Sequence, residues 1–355
     1  MNITEDWVES VTLGGEILGG GGGGSVKLGR QLGQLAVKLG NPTVLSIDEF
    51  DDEEFIITVS AVGAPSAINT GSIQPMDFAR AVWGLVKQTD KTISGLMTNE
   101  MGGLASANGL IQSAVLDIPI IDAAGDGRAH PTAPMGAIGL STKKDFVSYQ
   151  YAVGRDEEGN LVKTFAQGKQ TTASAISRAT AERAGFIAVT RDPVEVNYVK
   201  KNAAIGALTQ AQQLGEVVND IESSEERVQK IIDQLGGELI IKGEVSSVGL
   251  KERGGFDVGM VKIGEHQLTF WNEYMTLEVG NTRLATFPDL ILTLSEQTGR
   301  PVSSADIKEG NAVSLVVVPK ENLTLGSGMQ DPSLFKVAEQ AVGKEIIRYS
   351  FPDAK

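Results

Sequence analysis

The sequence predicts a two-domain protein, in which an α/β (α+β) N-terminal domain with a partly parallel sheet precedes a smaller, mainly β C-terminal domain. Up to about residue 222, short apolar segments of strand type alternate with segments of helical spacing, as in partly parallel sheets. Beyond a charged helical segment at 222–237, apolar residues recur at every second position instead. The length of 355 residues also fits about two domains. We therefore predict domains at residues 1–225 and 226–355.

The chain begins with two predicted helices that flank a run of six glycines. Apolar residues recur near helical spacing at residues 4–17. The second helix starts at Ser25, whose hydroxyl suits an N-cap, and ends before Gly40, which suits the position after a helix. Residues 19–24 are all glycine and connect the two helices, so we refer to them as the glycine run.

The rest of the N-terminal domain alternates between strands and helices. Short β-branched and apolar segments predict strands at 43–47, 55–62, 92–98, 118–121 and 186–190. Helical spacing predicts helices around 78–86, 104–116, 172–184 and 193–222. Between two of these elements, the segment GRDEEGN predicts a hairpin turn at 156–160.

The C-terminal domain has the period of antiparallel strands. Strands are predicted at 239–248, 257–263, 267–271, 275–279 and 312–318. The polar segments at 271–274 and 285–290 could reach a site between the two domains. Strand ends and a turn are the alternative interpretation of these segments, and the sequence favours that alternative.

The composition excludes several classes of function. The chain has 31 Lys and Arg against 45 Asp and Glu, a net charge of −14, which argues against nucleic acid or anionic membrane as a partner. It has no cysteine, which excludes disulfides and thiolate catalysis. It shows no signal peptide and no apolar segment of about 18 residues that would span a membrane. We expect a cytoplasmic protein that binds a small molecule.

The glycine run is the first candidate binding element. Backbone N–H groups of successive glycines before a helix can point at an anion. The run follows a predicted helix and not a strand, so neither a phosphate loop nor a dinucleotide fingerprint fits. We assign substrate binding to Gly21, Gly22, Gly23, Gly24 and Ser25. A tightly packed turn between two helices is the alternative.

Polar residues follow two predicted strands of the N-terminal sheet. Asn99 and Glu100 come directly after one strand, and Asp122 and Asp126 come after the next. Since ligands collect at the carboxyl ends of parallel strands, these residues are expected to share one pocket. Clustered carboxylates raise one another's pKa, which suits acid–base catalysis near neutral pH.

The loop after the second of these strands adds a cation and a histidine. Arg128 is a candidate for binding a substrate carboxylate, and His130 is a candidate acid. A structural ion pair and a hydrogen-bonded loop histidine are the respective alternatives. The spacing does not specify a metal site, so the sequence leaves open whether a divalent metal is bound.

The order of these motifs resembles one known family. The segments LGGGGGGS, NEMGG, the loop with Asp122, Asp126 and GRAHP, and then NEY, ATFPDLI and TGRPV resemble the S-methyl thiohydantoin desulfurase family. The similarity extends over residues 19–319. Members of that family are related to hydantoinase-type and oxoprolinase-type ring amidases.

The resemblance implies a function as well as a fold. It implies a hydrolase that removes methanethiol from an S-methylated cyclic thio-urea, with water activated by carboxylates. Asp122, Glu100, Asp126 and His130 are the expected catalytic residues, with Asn99 and Arg128 added to substrate binding. The alternative is a non-catalytic partner subunit of a hydantoinase-like enzyme, or a module that only binds a small anion. We expect either a homo-oligomer or such a hydantoinase-like partner.

Overall fold

A computed structural model describes residues 1–63 and 73–354 and contains two β-sheets that follow one another along the chain. The first sheet is mixed and uses strands up to Ile205, whereas the second is antiparallel and uses strands from Glu238 onward. The predicted fold class, α/β followed by mainly β, is confirmed. Among the described residues, no helix has the length and apolar character needed to cross a membrane.

The first sheet has a parallel and an antiparallel part. Its strands are β1 (Val44–Leu45), β2 (Phe55–Val62), β3 (Ile93–Thr98), β4 (Ile120–Ala124), β5 (Ser148–Arg155), β6 (Leu161–Gly168), β7 (Ile187–Glu195) and β8 (Ala204–Ile205). The order is β1-β4-β3-β2-β7-β5-β6, with β8 paired to β4. Strands β1 to β4 are parallel, and the remaining pairings are antiparallel. The carboxyl ends of β2, β3 and β4 therefore lie at one edge, where α/β proteins bind ligands.

The helices cover this sheet and connect it to the second one. They are α1 (Glu5–Leu18), α2 (Val26–Leu39), α3 (Pro75–Thr89), α4 (Leu110–Leu116), α5 (Gln170–Ala184), α6 (Val196–Asn202), α7 (Ala207–Asn219) and α8 (Ser224–Leu235). The hydroxyls of Thr4 and Ser25 accept N-cap hydrogen bonds at the starts of α1 and α2. Both helices therefore form where the sequence predicts them.

Two predicted elements have different bounds in the structure. The single helix predicted at 193–222 is wrong, because β7 continues to Glu195 and the short α6 and β8 precede α7. The break falls at Gly206, whose φ of +78° interrupts a helix. The strand predicted at 118–121 begins two residues later and continues to Ala124, so Asp122 lies inside β4 and not in the loop after it.

The second sheet is a seven-stranded antiparallel meander with one long strand. Its strands are β9 (Glu238–Glu252), β10 (Asp257–Ile263), β11 (His266–Trp271), β12 (Glu273–Val279), β13 (Thr282–Thr286), β14 (Leu290–Ser295) and β15 (Ala312–Val318). The order is β13-β12-β11-β10-β9-β15-β14. The sequence prediction omitted β13 and β14. One face of the sheet buries a separate apolar cluster around Phe270 and Leu315.

The segment after β15 folds back over both domains. It carries α9 (Lys336–Val342) and α10 (Ile347–Ser350), and Phe335 packs against Phe287 with ring centroids 5.6 Å apart. Closer to the first sheet, the Gly127 N–H donates to the Thr324 carbonyl at 3.0 Å. These contacts hold the loop after β4 against the C-terminal part of the chain.

Candidate functional site

A polar cavity lies where the edge of the first sheet meets the turn between β11 and β12. It measures about 710 Å³ when the open solvent at its mouth is included. The end of β2, the loop after β3, the glycine run, α5, β7 and the β11–β12 turn all contribute to its wall. The lining residues that carry chemistry are Asn99, Glu100, Asn108, His130, Arg178, Arg191, Asn272 and Glu273.

The glycine run passes through the contact between the two domains. The Gly23 carbonyl accepts the N–H groups of Leu104 and Ala105, while the Gly20 carbonyl accepts the N–H of Tyr274 at 2.9 Å. A Cβ added at Gly23 would lie 2.5 Å from the Gly102 Cα, so the two backbones meet where only glycine fits. The run is thus a backbone bridge between the loop after β3 and the start of β12.

The predicted substrate-binding residues of the run divide between two cavities. Gly23 and Gly24 line the polar cavity beside Glu100. Gly21, Gly22 and Ser25 line a second cavity, which Gly24 also borders. The Ser25 hydroxyl is the N-cap of α2 and accepts the Leu28 N–H. Only the last two glycines of the run therefore reach the polar cavity.

Glu100 and His130 form a contact pair in the polar cavity. One Glu100 carboxylate oxygen, Oε2, accepts the backbone N–H of His130 at 3.0 Å and lies 3.5 Å from its Nε2. The same Nε2 is 3.4 Å from the Asn99 carbonyl, so it faces two acceptors and must carry the imidazole proton. Burial lowers the pKa of His130, which keeps the ring neutral. The buried Nδ1, without a partner among the described residues, is then free to accept a hydrogen bond.

Glu273 is the second carboxyl group of the cavity, and it is more deeply buried than Glu100. Its side chain is buried, with 2 % of the residue exposed, and burial raises its pKa well above the usual value. The negative charge of Glu100 raises this pKa further, whereas the Gly23 N–H that faces the carboxyl lowers it. The raised pKa favours the protonated form of Glu273, which can donate a proton. Glu273 belongs to the 271–274 segment, whose reach into an interdomain site the sequence did not favour.

Two arginines complete the polar wall, and the sequence analysis missed both. Arg191, on β7, is 2 % exposed, and Arg178 projects from α5. Burial lowers the pKa of both guanidinium groups, to about 10 for Arg178. The nearby charge of Glu100 acts on both in the opposite direction. The cavity thus combines two carboxyl groups with two cations, of which Arg191 is buried and Arg178 half-buried.

Asp122 does not line this cavity, which corrects the prediction that it shares a pocket with Glu100. Its Oδ1 accepts the N–H groups of Leu208 and Thr209 at 3.1 and 3.0 Å, and its Oδ2 accepts the Thr209 hydroxyl at 2.5 Å. These donors belong to the first turn of α7, so Asp122 caps that helix from the neighbouring strand. The carboxylate is fully engaged in this contact.

Asp126 and Arg128 also lie outside the lining of the cavity, contrary to prediction. Asp126 is fully buried, and its Oδ1 accepts the Gly326 N–H at 3.0 Å. Arg128 donates to the carbonyls of Pro288 and Asp289, at 2.8 and 2.6 Å. Its guanidinium stacks on the ring of the phenylalanine that directly precedes Pro288. Both residues therefore connect the loop after β4 to the C-terminal domain.

Asp126 is expected to make stability depend on pH. Burial raises its pKa from 3.8 to about 8, so the folded state favours the protonated form. This contribution is fully present below about pH 4 and is lost as the pH rises toward 8. We expect Asp126→Asn, which resembles the protonated acid, to gain stability relative to the parent as the pH rises from 5 to 8.5, measured by thermal unfolding. The exposed control Asp353→Asn should show no such trend, and a pH-independent difference for Asp126→Asn would contradict the assignment.

A metal site is not evident in the part of the chain that the structure describes. Within residues 1–63 and 73–354, no three carboxylate or histidine side chains converge as metal ligands do.

Asn99, predicted to bind substrate, does line the cavity, and its Oδ1 accepts the Asn108 amide at 3.1 Å.

Comparison with known families agrees with this architecture. Residues 6–164 match the model described as "S-Me-THD-like, N-terminal domain", and residues 167–329 match "S-Me-THD-like, C-terminal domain". The chain belongs to the S-Me-THD-like family. This confirms the resemblance drawn from the motifs, and the family name implies an S-methyl thiohydantoin desulfurase-like function. No curated protein matches the chain.

A solved structure shares the fold of this S-Me-THD-like protein. A protein of Chromobacterium violaceum, known from a structural genomics crystal structure, matches with a TM-score of 0.71 at 19 % identity. The match covers 98 % of this chain and 99 % of the other. The family models divide the chain at 164–167, whereas the two sheets divide between Ile205 and Glu238. The α5 helix and β7 thus belong to the C-terminal family model, although β7 is a central strand of the first sheet.

Proposed function

We propose that the protein is a hydrolase that releases methanethiol from an S-methylated thiohydantoin, a small cyclic thio-urea. The observation that carries this proposal is the pair of unlike carboxyl groups in one interdomain cavity. Glu100 is partly exposed, with 14 % of its side chain accessible, and its negative charge acts on its neighbours. Glu273 is buried, and burial raises its pKa, which favours its protonated form. Two carboxyl groups with different protonation states supply the base and the acid that hydrolysis requires.

Glu100 is the proposed general base. The ring carbon that bears the S-methyl group is an amidine-like electrophile, and water must lose a proton to attack it. Glu100 accepts that proton while the new carbon–oxygen bond forms. The buried Nδ1 of His130 is the one acceptor of that ring still available, and it can hold the water or a ring N–H in place. The His130 N–H bond to Glu100 Oε2 fixes the carboxylate for this task.

Glu273 is the proposed general acid. As water attacks, the electron pair of the carbon–nitrogen double bond moves to the ring nitrogen, which takes the Glu273 proton. When the tetrahedral intermediate collapses, the carbon–sulfur bond breaks and the methanethiolate takes the proton held by Glu100. The hydroxyl proton of the intermediate returns to Glu273 as the ring carbonyl forms. Both carboxyl groups regain their starting states, and the products are a hydantoin and methanethiol.

Release of methanethiol tests this proposal. The chain contains no cysteine, so a thiol reagent such as DTNB reports only thiol that is set free from the substrate. The purified protein is incubated with a panel of S-methyl thiohydantoins, with and without divalent metals, and the hydantoin product is measured in parallel. We expect equal amounts of thiol and hydantoin. Folded protein that turns over no member of the panel under any condition would favour a partner subunit or an anion-binding module instead.

Asp122 is expected to affect stability and not turnover. Asp122→Ala removes the cap of α7 and should lower the free energy of unfolding by about 0.5–2 kcal/mol, as lost helix caps do. Asp122→Asn keeps one acceptor oxygen and should fall between this variant and the parent. Urea unfolding and the thiol-release assay measure the two effects. A large loss of thiol release at parental stability would return Asp122 to the reaction.

A further inference from the structure

The first sheet ends at β6, a long strand that is paired on one side. β6 has eight residues and pairs with β5 over its whole length without a bulge. Within residues 1–63 and 73–354, no strand pairs with its outer side. Edge strands of native proteins are usually short or interrupted by proline or a bulge, because their outer N–H and C=O groups can pair with another chain. Of such protections β6 has only one charged residue, Lys163.

Apolar side chains are exposed on both faces of the sheet beside this edge. On one face, Leu161 and Phe165 are 39 % and 37 % exposed. On the other face lies α5, where the Thr180 hydroxyl donates to the Thr164 hydroxyl at 3.0 Å. Ile176, one turn earlier in α5, is 42 % exposed. Exposed apolar residues around an unpaired strand edge are typical of an interface between chains.

The charges at the two ends of β6 are complementary to those of a second copy. The hairpin turn before the strand contains Asp156, Glu157 and Glu158, whereas Lys169 directly follows the strand. In an antiparallel pair of two β6 strands, the acidic turn of each copy would lie beside Lys169 of the other. A parallel pair would bring the two acidic turns together, which is unfavourable. The charge pattern therefore favours antiparallel pairing of β6 with itself.

We propose that the protein forms a two-fold symmetric dimer in which β6 pairs with β6 of a second copy, so that the first sheet continues from one chain into the other. The register places Thr164 on the two-fold axis and Lys163 opposite Phe165 of the other copy. Centring the pair on Lys163 would oppose two lysines, and centring it on Phe165 would move Lys169 away from the acidic turn. A shift by one residue would place side chains of opposite faces beside each other. No residue of β6 lines the polar cavity, so the interface is independent of the proposed reaction.

The molar mass in solution tests the dimer. Size exclusion with light scattering, over a series of concentrations, should give twice the mass of one chain for the parent. Phe165→Lys places a lysine opposite Lys163 of the other copy and should raise the Kd of the dimer by about 30-fold or more, as for a central interface residue. The matched control is Leu284→Lys, at an exposed position of β13, the edge strand of the second sheet, and should retain the parental Kd. A monomeric parent, or a folded Phe165→Lys variant with the parental Kd, would overturn the proposal.

Exchange of charges tests the antiparallel arrangement. Lys169→Glu, and a second variant with Glu157→Lys and Glu158→Lys, should each form a weaker dimer, because like charges then face each other. An equimolar mixture of the two variants should form heterodimers, since each turn then meets a residue of opposite charge. A mixture that associates no better than either variant alone would contradict antiparallel pairing of β6.

A disulfide tests the register directly. The chain has no cysteine, so a cysteine introduced at Thr164 can form a disulfide only with a second copy. Oxidised Thr164→Cys should yield a covalent dimer on a denaturing gel, because opposed residues of an antiparallel pair have Cβ atoms about 5 Å apart. The control Thr282→Cys, at an exposed position of β13, should not. A parental dimer without this crosslink would place the interface elsewhere, and a monomer that binds a hydantoinase-like protein through β6 would also overturn the proposal. Circular dichroism verifies that each variant is folded.

Discussion

Replacing Glu100 by glutamine is expected to lower kcat for methanethiol release by about 10²- to 10⁴-fold, the usual contribution of a general base. The substitution retains the size of the side chain and an oxygen that can accept the His130 N–H, so the local structure should persist. What is lost is the carboxylate that removes a proton from water. The thiol-release assay at saturating substrate measures the effect, and Glu53→Gln at an exposed position is the matched control.

The pH dependence of the rate should distinguish Glu273, the proposed acid, from Glu100, the proposed base. The reaction requires protonated Glu273, so the parental rate should fall as the pH rises through the raised pKa of this residue. In Glu273→Gln this decline should be absent, because no proton is left to lose, and the remaining rate should be low at every pH. A Glu100→Gln variant with nearly parental kcat, or an unchanged pH profile in Glu273→Gln, would contradict the assigned roles.

Adding a single methyl group to the glycine run, at Gly22, is also expected to lower kcat strongly. In Gly22→Ala the new Cβ would lie 1.9 Å from Glu273 Oε1, so the carboxyl must move. The φ angle of Gly22 is not in the left-handed region, in contrast to its neighbours Gly21 and Gly23, so alanine adds no such backbone strain there. We expect kcat to fall by about 10²-fold, as for a misplaced catalytic group, while the thermal stability changes little.

A double-mutant cycle determines whether Gly22 acts through Glu273. If the methyl group acts only by displacing that carboxyl, Gly22→Ala combined with Glu273→Gln should be no slower than Glu273→Gln alone. The three variants and the parent are compared in the thiol-release assay. Additive losses would mean that the glycine run contributes to the reaction independently of Glu273.

Local sequence patterns predicted most of the helices and strands, because apolar spacing and helix caps depend on residues that are close together in the sequence. The apolar spacing and the caps were sufficient to place α1 and α2, and the change of period was sufficient to place the start of the β-rich part after α8. The prediction failed for 193–222, where continuous helical spacing hides the short β8 that pairs with β4. Such a strand forms because a neighbour in space offers hydrogen bonds, and no sequence window contains that neighbour.

The site was harder to predict than the fold because its residues come from distant segments. Glu100 follows β3 as expected, but its partner Glu273 lies more than 170 positions later and reaches it only through the domain contact. The sequence also placed Asp122 after a strand, yet it lies inside β4 and its carboxylate accepts hydrogen bonds from the first turn of α7. A signal for Arg191 did exist, since a charge inside the apolar segment FIAVTRDPV is unusual for a buried strand.

The origin of the oxygen in the product tests the central claim most directly. A single turnover of an S-methyl thiohydantoin is run in H₂¹⁸O with enzyme in excess, and the hydantoin is analysed by mass spectrometry. Direct attack by water activated at Glu100 predicts one ¹⁸O in the carbonyl at the carbon that carried sulfur, formed together with one methanethiol. Unlabelled hydantoin, with ¹⁸O found in a glutamate side chain instead, would show that a carboxylate attacks the ring and would contradict the account.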